Sequence, residues 1–303
     1  MIEIFLQFNN KNFFDPVFYK KKIGNKIFNL SSVKFYQNDL DKIVLFGDSF
    51  MLGKKCGQEK SLPSLISQDS KNKFSIINFG QPGINAVQIF LNITLYLENE
   101  KKPKSVIVGF YSNDIHMDKS YCSFIGDLKN YKFFTQEDIN NLKIFCSKKN
   151  ISDNITRPDW HKFGITQVLN EAIVKLFTIF DVEKFNSRNK FYSDLKNLNS
   201  LENKLFRYSI IKISEKLSDE NINNTLFFFP NAENLNINSD ISTAYKNLSS
   251  DLLENFEIKI HNGYNFFNVK NNTSMTASLL DKHPNCRYYE IIYKYLSSNN
   301  LIK

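Results

Sequence analysis

With 303 residues, 42% of them hydrophobic and 15% aromatic, the chain can bury a large core as one α/β domain or as one domain with an insertion, which excludes an intrinsically disordered polypeptide. Its formal charge of +8 is nearly all lysine scattered among Asn, Ile and Phe rather than gathered in a basic stripe, so nucleic acid is not an expected partner and only a mild attraction for anionic glycans or phosphates remains. The four cysteines, Cys56, Cys122, Cys146 and Cys286, form no Cys-x-x-Cys pair, which excludes a zinc ribbon or thioredoxin-like motif and leads us to expect buried free thiols.

Met1 to Asn10 carry an acid at the third position and turn polar before a signal region could form, and no later window approaches the roughly 18 apolar residues of a membrane span. A cytoplasmic chain with no membrane span is expected. Residues 1–40 alternate apolar and polar side chains over Ile2 to Phe8 and near Ile27 to Phe35, the pattern of edge strands or a small β extension. Lys42 to Phe46 is a mostly apolar run ending at a glycine, which predicts a buried parallel strand feeding a tight turn. Phe74 to Phe79 and Ser105 to Phe110 repeat the pattern. Ala86 to Asn99 lies between them, with Val87, Ile89, Phe90, Ile93, Leu95 and Leu97 at helical spacing behind Asn85 as N-cap. From about 120 to 221 the chain becomes polar and helical, with Ile165 to Phe180 and Leu201 to Leu217 as amphipathic segments. This insertion is expected to be a lid or substrate-selecting subdomain over the strand ends, a helical buttress on the sheet being the alternative. Thr225 to Phe229, closed by Pro230, is a fourth strand. Strands and helices in this alternation predict a three-layer α/β/α sandwich around a parallel sheet over residues 41–303.

Four short blocks then offer chemistry, three of them just past a predicted strand and the last just before a terminal helix. Gly47-Asp48-Ser49-Phe50 presents a serine on the turn after the first core strand, and its hydroxyl becomes a nucleophile only if a base takes its proton. Asp48 is expected to form the turn by bonding backbone rather than to act as a catalytic acid. Asn78 to Gly83 ends in a glycine whose N–H can donate to an oxyanion, and Ser112-Asn113-Asp114 supplies a side-chain amide donor. Asp281-Lys282-His283-Pro284-Asn285 sets a histidine two residues after a carboxylate that can hold its tautomer. Ligands in parallel sheets bind beyond the carboxyl ends of the strands, so Ser49, Gly83 and Asn113 are expected along one edge. Asp114, His116 and Asp118 alternate and would share one face of an extended segment; a surface coincidence is preferred to a metal site, because further ligands are not in evidence.

In order and spacing these blocks resemble the SGNH, or GDSL-type, hydrolase family, named for the Ser, Gly, Asn and His of four such blocks. Residues 41–119 and 222–296 carry the resemblance. Tyr111 stands where related sequences often have a glycine, two before the asparagine, and Cys286-Arg287 replaces a frequent Gly-His pair. The resemblance implies a flavodoxin-like three-layer fold and a Ser49–His283–Asp281 triad, with the oxyanion held by Ser49 N–H, Gly83 N–H and the Asn113 amide. No metal or organic cofactor is implied. Hydrolysis of a small acyl ester of a carbohydrate, acetyl being the first choice, is the expected activity. O-acetyl transfer to a sugar hydroxyl is the alternative within the same chemistry, and a non-catalytic carbohydrate-binding protein is the alternative outside it.

Overall fold

A computed structural model describes residues 18–31, 40–53, 56–69, 73–147, 193–267, 269, 273–277 and 283–302. Its centre is a seven-stranded sheet. β1 (Phe18–Ile23) and β2 (Lys26–Ser31) form an antiparallel hairpin, and β2 meets the main sheet antiparallel to β4 (Phe74–Gly80) at Ser31 and Asn78. β3 (Asp41–Gly47) lies parallel between β4 and β5 (Ser105–Phe110), and β6 (Asn223–Phe228) and β7 (Ile260–Asn262) continue the parallel array. The spatial order is β1-β2-β4-β3-β5-β6-β7. Counting only the five parallel strands, this is the flavodoxin-like order 2-1-3-4-5, whose switch point falls between β3 and β5.

Because side chains alternate along a strand, each central strand feeds two cores. Val44 and Phe46 of β3, with Ile77, Phe79, Val106, Val108 and Phe110, pack against α3 (Ala86–Asn99), α5 (Leu201–Asp219) and α6 (Asp240–Phe256). Ile43 and Leu45, with Ile76, Ile107 and Phe227, pack against α1 (Ser49–Leu52), α2 (Leu62–Asp69) and α7 (Cys286–Ser298). These strand residues are fully buried, which is why they read as unbroken apolar runs. The architecture is the three-layer sandwich with a parallel sheet expected from the pattern. β6 begins two residues earlier than the apolar run, because Asn223 and Asn224 pair with Ser105 and Val106 through backbone alone.

The helix expected in a lid belongs instead to the sandwich. Phe206, Ile210, Ile211 and Ile213 of α5 sit in the core beneath the sheet, and Phe206 meets Phe110 edge-on at 5.9 Å. Its other flank, Leu205 and Tyr208, holds a satellite cluster of Tyr121, Phe124 and Leu128 from the segment leading to α4 (Gln136–Ser147) and Leu142 of α4 itself. A buried Lys204–Asp138 ion pair at 2.6 Å joins α5 to α4. Ile165 to Phe180, Ile2 to Phe8 and Asp281 lie outside the described residues.

The expectation of free thiols is corrected. All four cysteines are paired, Cys56 with Cys286 across 230 residues and Cys122 with Cys146 across 24, with Cα separations of 5.0 and 5.9 Å. Wide spacing carried no sign of this, because the longer pairing exists only once α7 has docked beside the loop after α1.

Candidate active site

β4 and β3 end in glycines, and Gly109 is the last residue but one of β5; the three are in register, Gly47 lying opposite Gly80 on one side and Gly109 on the other. The row is bare for a steric reason. A Cβ on Gly80 would stand 2.3 Å from Leu52 N, one on Gly109 2.4 Å from the Phe229 ring, and one on Gly47 2.7 Å from both Gly109 O and Met51 Cβ. Without those methyls the single turn of α1 rests directly on the sheet end. Asn78 fastens it there, donating from Nδ2 to Met51 O at 3.3 Å while its Oδ1 accepts from Gly80 N at 2.9 Å. Asn78 has no separate function in the sequence pattern, and its burial beneath the turn reveals one.

Asp48 is the N-cap of α1, and its Oδ1 accepts from Phe50 N at 2.8 Å, the backbone bond expected of it. It is also fully buried, and burial pushes its carboxyl up to about 6 against the pull of the Phe50 N–H, the His283 charge, and the Ser49 and Asn113 side chains. Behind it, Asp114 is equally buried and held well above the usual carboxylate range by desolvation and by the neighbouring Asp48 charge. Asp114 Oδ2 accepts from Tyr111 N at 2.8 Å, which fixes the turn that carries Asn113. That turn, Ser112–Ile115, is a 3-10 helix and not an extended segment. Asp114 therefore points inward while His116 is exposed, and Asp118 caps the next turn through Ser120 N at 2.8 Å. Among the described residues no group of three His, Cys, Asp or Glu side chains is placed to hold a metal ion.

The central contact joins the two ends of the chain. Ser49 Oγ lies 3.2 Å from His283 Nε2 across 234 residues, and 3.4 Å from Asp48 Oδ2. His283 reaches this position on a short antiparallel pairing: Ala277 N donates to His283 O at 2.7 Å, and Asn285 N donates to Met275 O at 2.8 Å. Asn285 then caps α7 by accepting from Tyr288 N at 3.1 Å. The Phe50 ring stacks on Tyr111 at 3.8 Å and stands 6.1 Å from the imidazole, forming an aromatic wall beside the serine.

Asn113 is half-buried in the 3-10 turn just past β5, where its side chain helps to draw the Asp48 carboxyl down. Gly83 is exposed in the turn after β4 with φ +73°, a left-handed conformation that favours glycine. Gln81 N of the same turn donates to Gly47 O at 3.0 Å, which keeps that turn beside the Ser49 strand. Ser49, Gly83 and Asn113 thus follow three adjacent strand ends, with Ser49 and Asn113 flanking the switch point.

No protein-family model and no curated protein matches the chain. Solved structures to which it is similar include a lipase from a goat rumen metagenome, at 15% identity and a TM-score of 0.46 over 86% of this chain and 96% of that one. The lipase/acylhydrolase from Enterococcus faecalis is similar at 14% identity and 0.43 over 86% and 97%. A member of the lipolytic protein G-D-S-L family from Veillonella parvula is similar at 13% identity and 0.42 over 85% and 96%.

Proposed function

We propose that the chain is a serine-dependent ester hydrolase of the SGNH type. The observation that carries this reading is the 3.2 Å contact between Ser49 Oγ and His283 Nε2. A serine oxygen and an imidazole nitrogen within hydrogen-bond reach, at a sheet's switch point, form the pair that acyl transfer requires.

In this reading Ser49 Oγ attacks the ester carbonyl as Nε2 takes the hydroxyl proton. The imidazolium then returns that proton to the leaving alcohol, and an acyl-serine remains until water, deprotonated by the same nitrogen, attacks it; the imidazolium protonates the departing Ser49 Oγ and the acid is released. Nε2 can accept only if Nδ1 carries the ring hydrogen, and orienting that tautomer is the function proposed for Asp281. Ser49 N–H, Gly83 N–H and the Asn113 amide are the proposed oxyanion donors, each worth roughly 3 kcal/mol in the transition state. One Asn113 N–H can stay on Asp48 while the other turns to the oxyanion.

A short acyl group on a carbohydrate hydroxyl is the proposed substrate. The short chain is proposed with the stacked Phe50 and Tyr111 rings as its nearest apolar neighbours. Two disulfides support work in an oxidising compartment rather than the cytoplasm read from the N-terminal residues. Among the described residues no helix is long and apolar enough to cross a membrane. The deciding assay follows p-nitrophenyl esters from two to twelve carbons and acetylated sugars, with Ser49→Ala as control. Turnover of the acetyl esters that disappears in the variant is expected, losing about 10⁴-fold or more. Activity that survives the substitution would overturn the reading.

A further inference from the structure

His283 and Ser49 are held by different parts of the sheet edge. The segment 273–277, which pairs with the His283 turn, hangs from the loop after β6 through Met275 N to Ala232 O at 2.7 Å and Leu235 N to Thr273 O at 2.9 Å. Ser49 belongs to the turn after β3. The separation between nucleophile and base therefore depends on what crosses from one support to the other.

A short, continuous path makes that crossing. Gly53 N donates to Ser49 O at 3.3 Å, and Cys56 N donates to Gly53 O at 3.1 Å, so Cys56 is fastened to the nucleophile's own turn. Cys56 is then bonded to Cys286, the first residue of α7 and the third after His283. One turn further on, Tyr289 Oη donates to Phe50 O at 2.8 Å, a second crossing from the same helix to the residue next to Ser49. Cys56 and Tyr289 are buried, 6% and 1% exposed, so the two ties sit in packed surroundings rather than on a loose surface.

We infer that the Cys56–Cys286 disulfide is a positioning element for the reaction, setting the imidazole of His283 against the Ser49 hydroxyl, so that turnover depends on the bridge being oxidised; this rests on the hydrolase reading above. The two cysteines touch no reacting atom. They act by fixing the first turn of α7, and misplacement of a catalytic group by about 1 Å costs up to about 10²-fold in rate. Reduction by dithiothreitol breaks the single Sγ–Sγ bond, leaves one hydrogen on each cysteine sulfur and releases the reagent as its cyclic disulfide. The other bridge, Cys122–Cys146, ties the satellite cluster together and serves as the internal control.

The test compares wild type, C56S/C286S and C122S/C146S at a temperature below each protein's melting transition. Two rates are read: turnover of p-nitrophenyl acetate, and labelling of Ser49 by a fluorophosphonate, which needs the Ser–His pair but no natural substrate. C56S/C286S is expected to lose about 10- to 100-fold in kcat and in labelling rate, with KM within about two-fold. C122S/C146S should keep both rates. Should C56S/C286S fail to fold, dithiothreitol acting on folded C122S/C146S, in which Cys56–Cys286 is the one remaining bridge, gives the same reading, and reoxidation should restore the lost rate. Equal labelling of the oxidised and reduced proteins, or a loss confined to KM, would overturn the inference while leaving the hydrolase reading intact. Oxidised wild type that neither turns over ester nor labels at Ser49 would overturn both.

Discussion

Asp48 has two duties that pull its carboxyl in opposite directions. As a cap it is better ionised, because a carboxylate accepts more strongly from Phe50 N–H. As a buried group next to the equally buried Asp114 it resists ionisation, and the balance is a carboxyl pushed up to about 6. Below about pH 4 the group is protonated in both the folded and the unfolded chain. Between about pH 4 and 6 the unfolded chain gives up this proton first, so folding stability falls as pH rises through that window. Denaturant unfolding from pH 4 to 7 should show the decline, on the order of 3 kcal/mol for Asp48. Asp48→Asn, which keeps the capping oxygen, should make the decline shallower and leave the part that the raised Asp114 contributes, and an unchanged slope in the variant would remove Asp48 as a cause. Asn113 gives a kinetic counterpart under the proposed chemistry. Asn113→Ala should lower kcat by about 10² to 10³ with little change in KM, since an oxyanion exists only in the transition state. A rise in KM at constant kcat would make Asn113 a ground-state contact. Serine, glycine and asparagine were visible as residue types behind strand ends and histidine before the last helix, but the buried carboxylate pair was not. Burial of Asp48 and Asp114 is a property of the packing above them, and sequence spacing says nothing about it.

Among the elements, α3 was legible to the residue, because Asn85 and Gln88 form a reciprocal capping box at its start and apolar residues repeat behind it. The core strands were nearly so, since burial on both faces leaves unbroken apolar runs, two of which end at glycine. α5 was recognised as an amphipathic helix and assigned the wrong neighbour. An apolar stripe shows that a helix covers something without showing what it covers, and α5 covers the sheet. Phe206→Ala should therefore cost about 3–5 kcal/mol of stability while the folded protein keeps its kcat, as thermal unfolding and ester assays would show. A variant with normal stability and altered substrate preference would restore the lid reading. The disulfides escaped the sequence for a related reason, because cysteine pairing across 230 residues is decided by where α7 docks.

At the scale of the molecule, the parallel order 2-1-3-4-5 brings the strand ends of β3, β4 and β5 together before any side chain is considered. The alternation of strand and helix made that topology readable. The net charge of +8 belongs to this scale as well. It should draw in anionic substrates, so kcat/KM for an acidic sugar ester should fall as salt is raised from about 10 to 150 mM, the range over which the Debye length shrinks from about 30 to 8 Å. A neutral ester measured beside it should show no such decline. Parallel salt curves for the two would mean that the charge does not act at the site.

The bare shelf formed by Gly47, Gly80 and Gly109 bears on how the chain can vary. A scan of every substitution should find two kinds of intolerant position around Ser49. Some are intolerant because they supply an atom to the reaction, whereas these three are intolerant because they withhold one. Gly80→Ala places a methyl 2.3 Å from the Leu52 nitrogen, and that neighbour is backbone, with no rotamer to yield. The turn bearing Ser49 would have to lift from the sheet, carrying the nucleophile away from an imidazole anchored elsewhere. Divergent copies of this chain should therefore be free to exchange almost any exposed side chain near the cleft before they can add a single carbon beneath it.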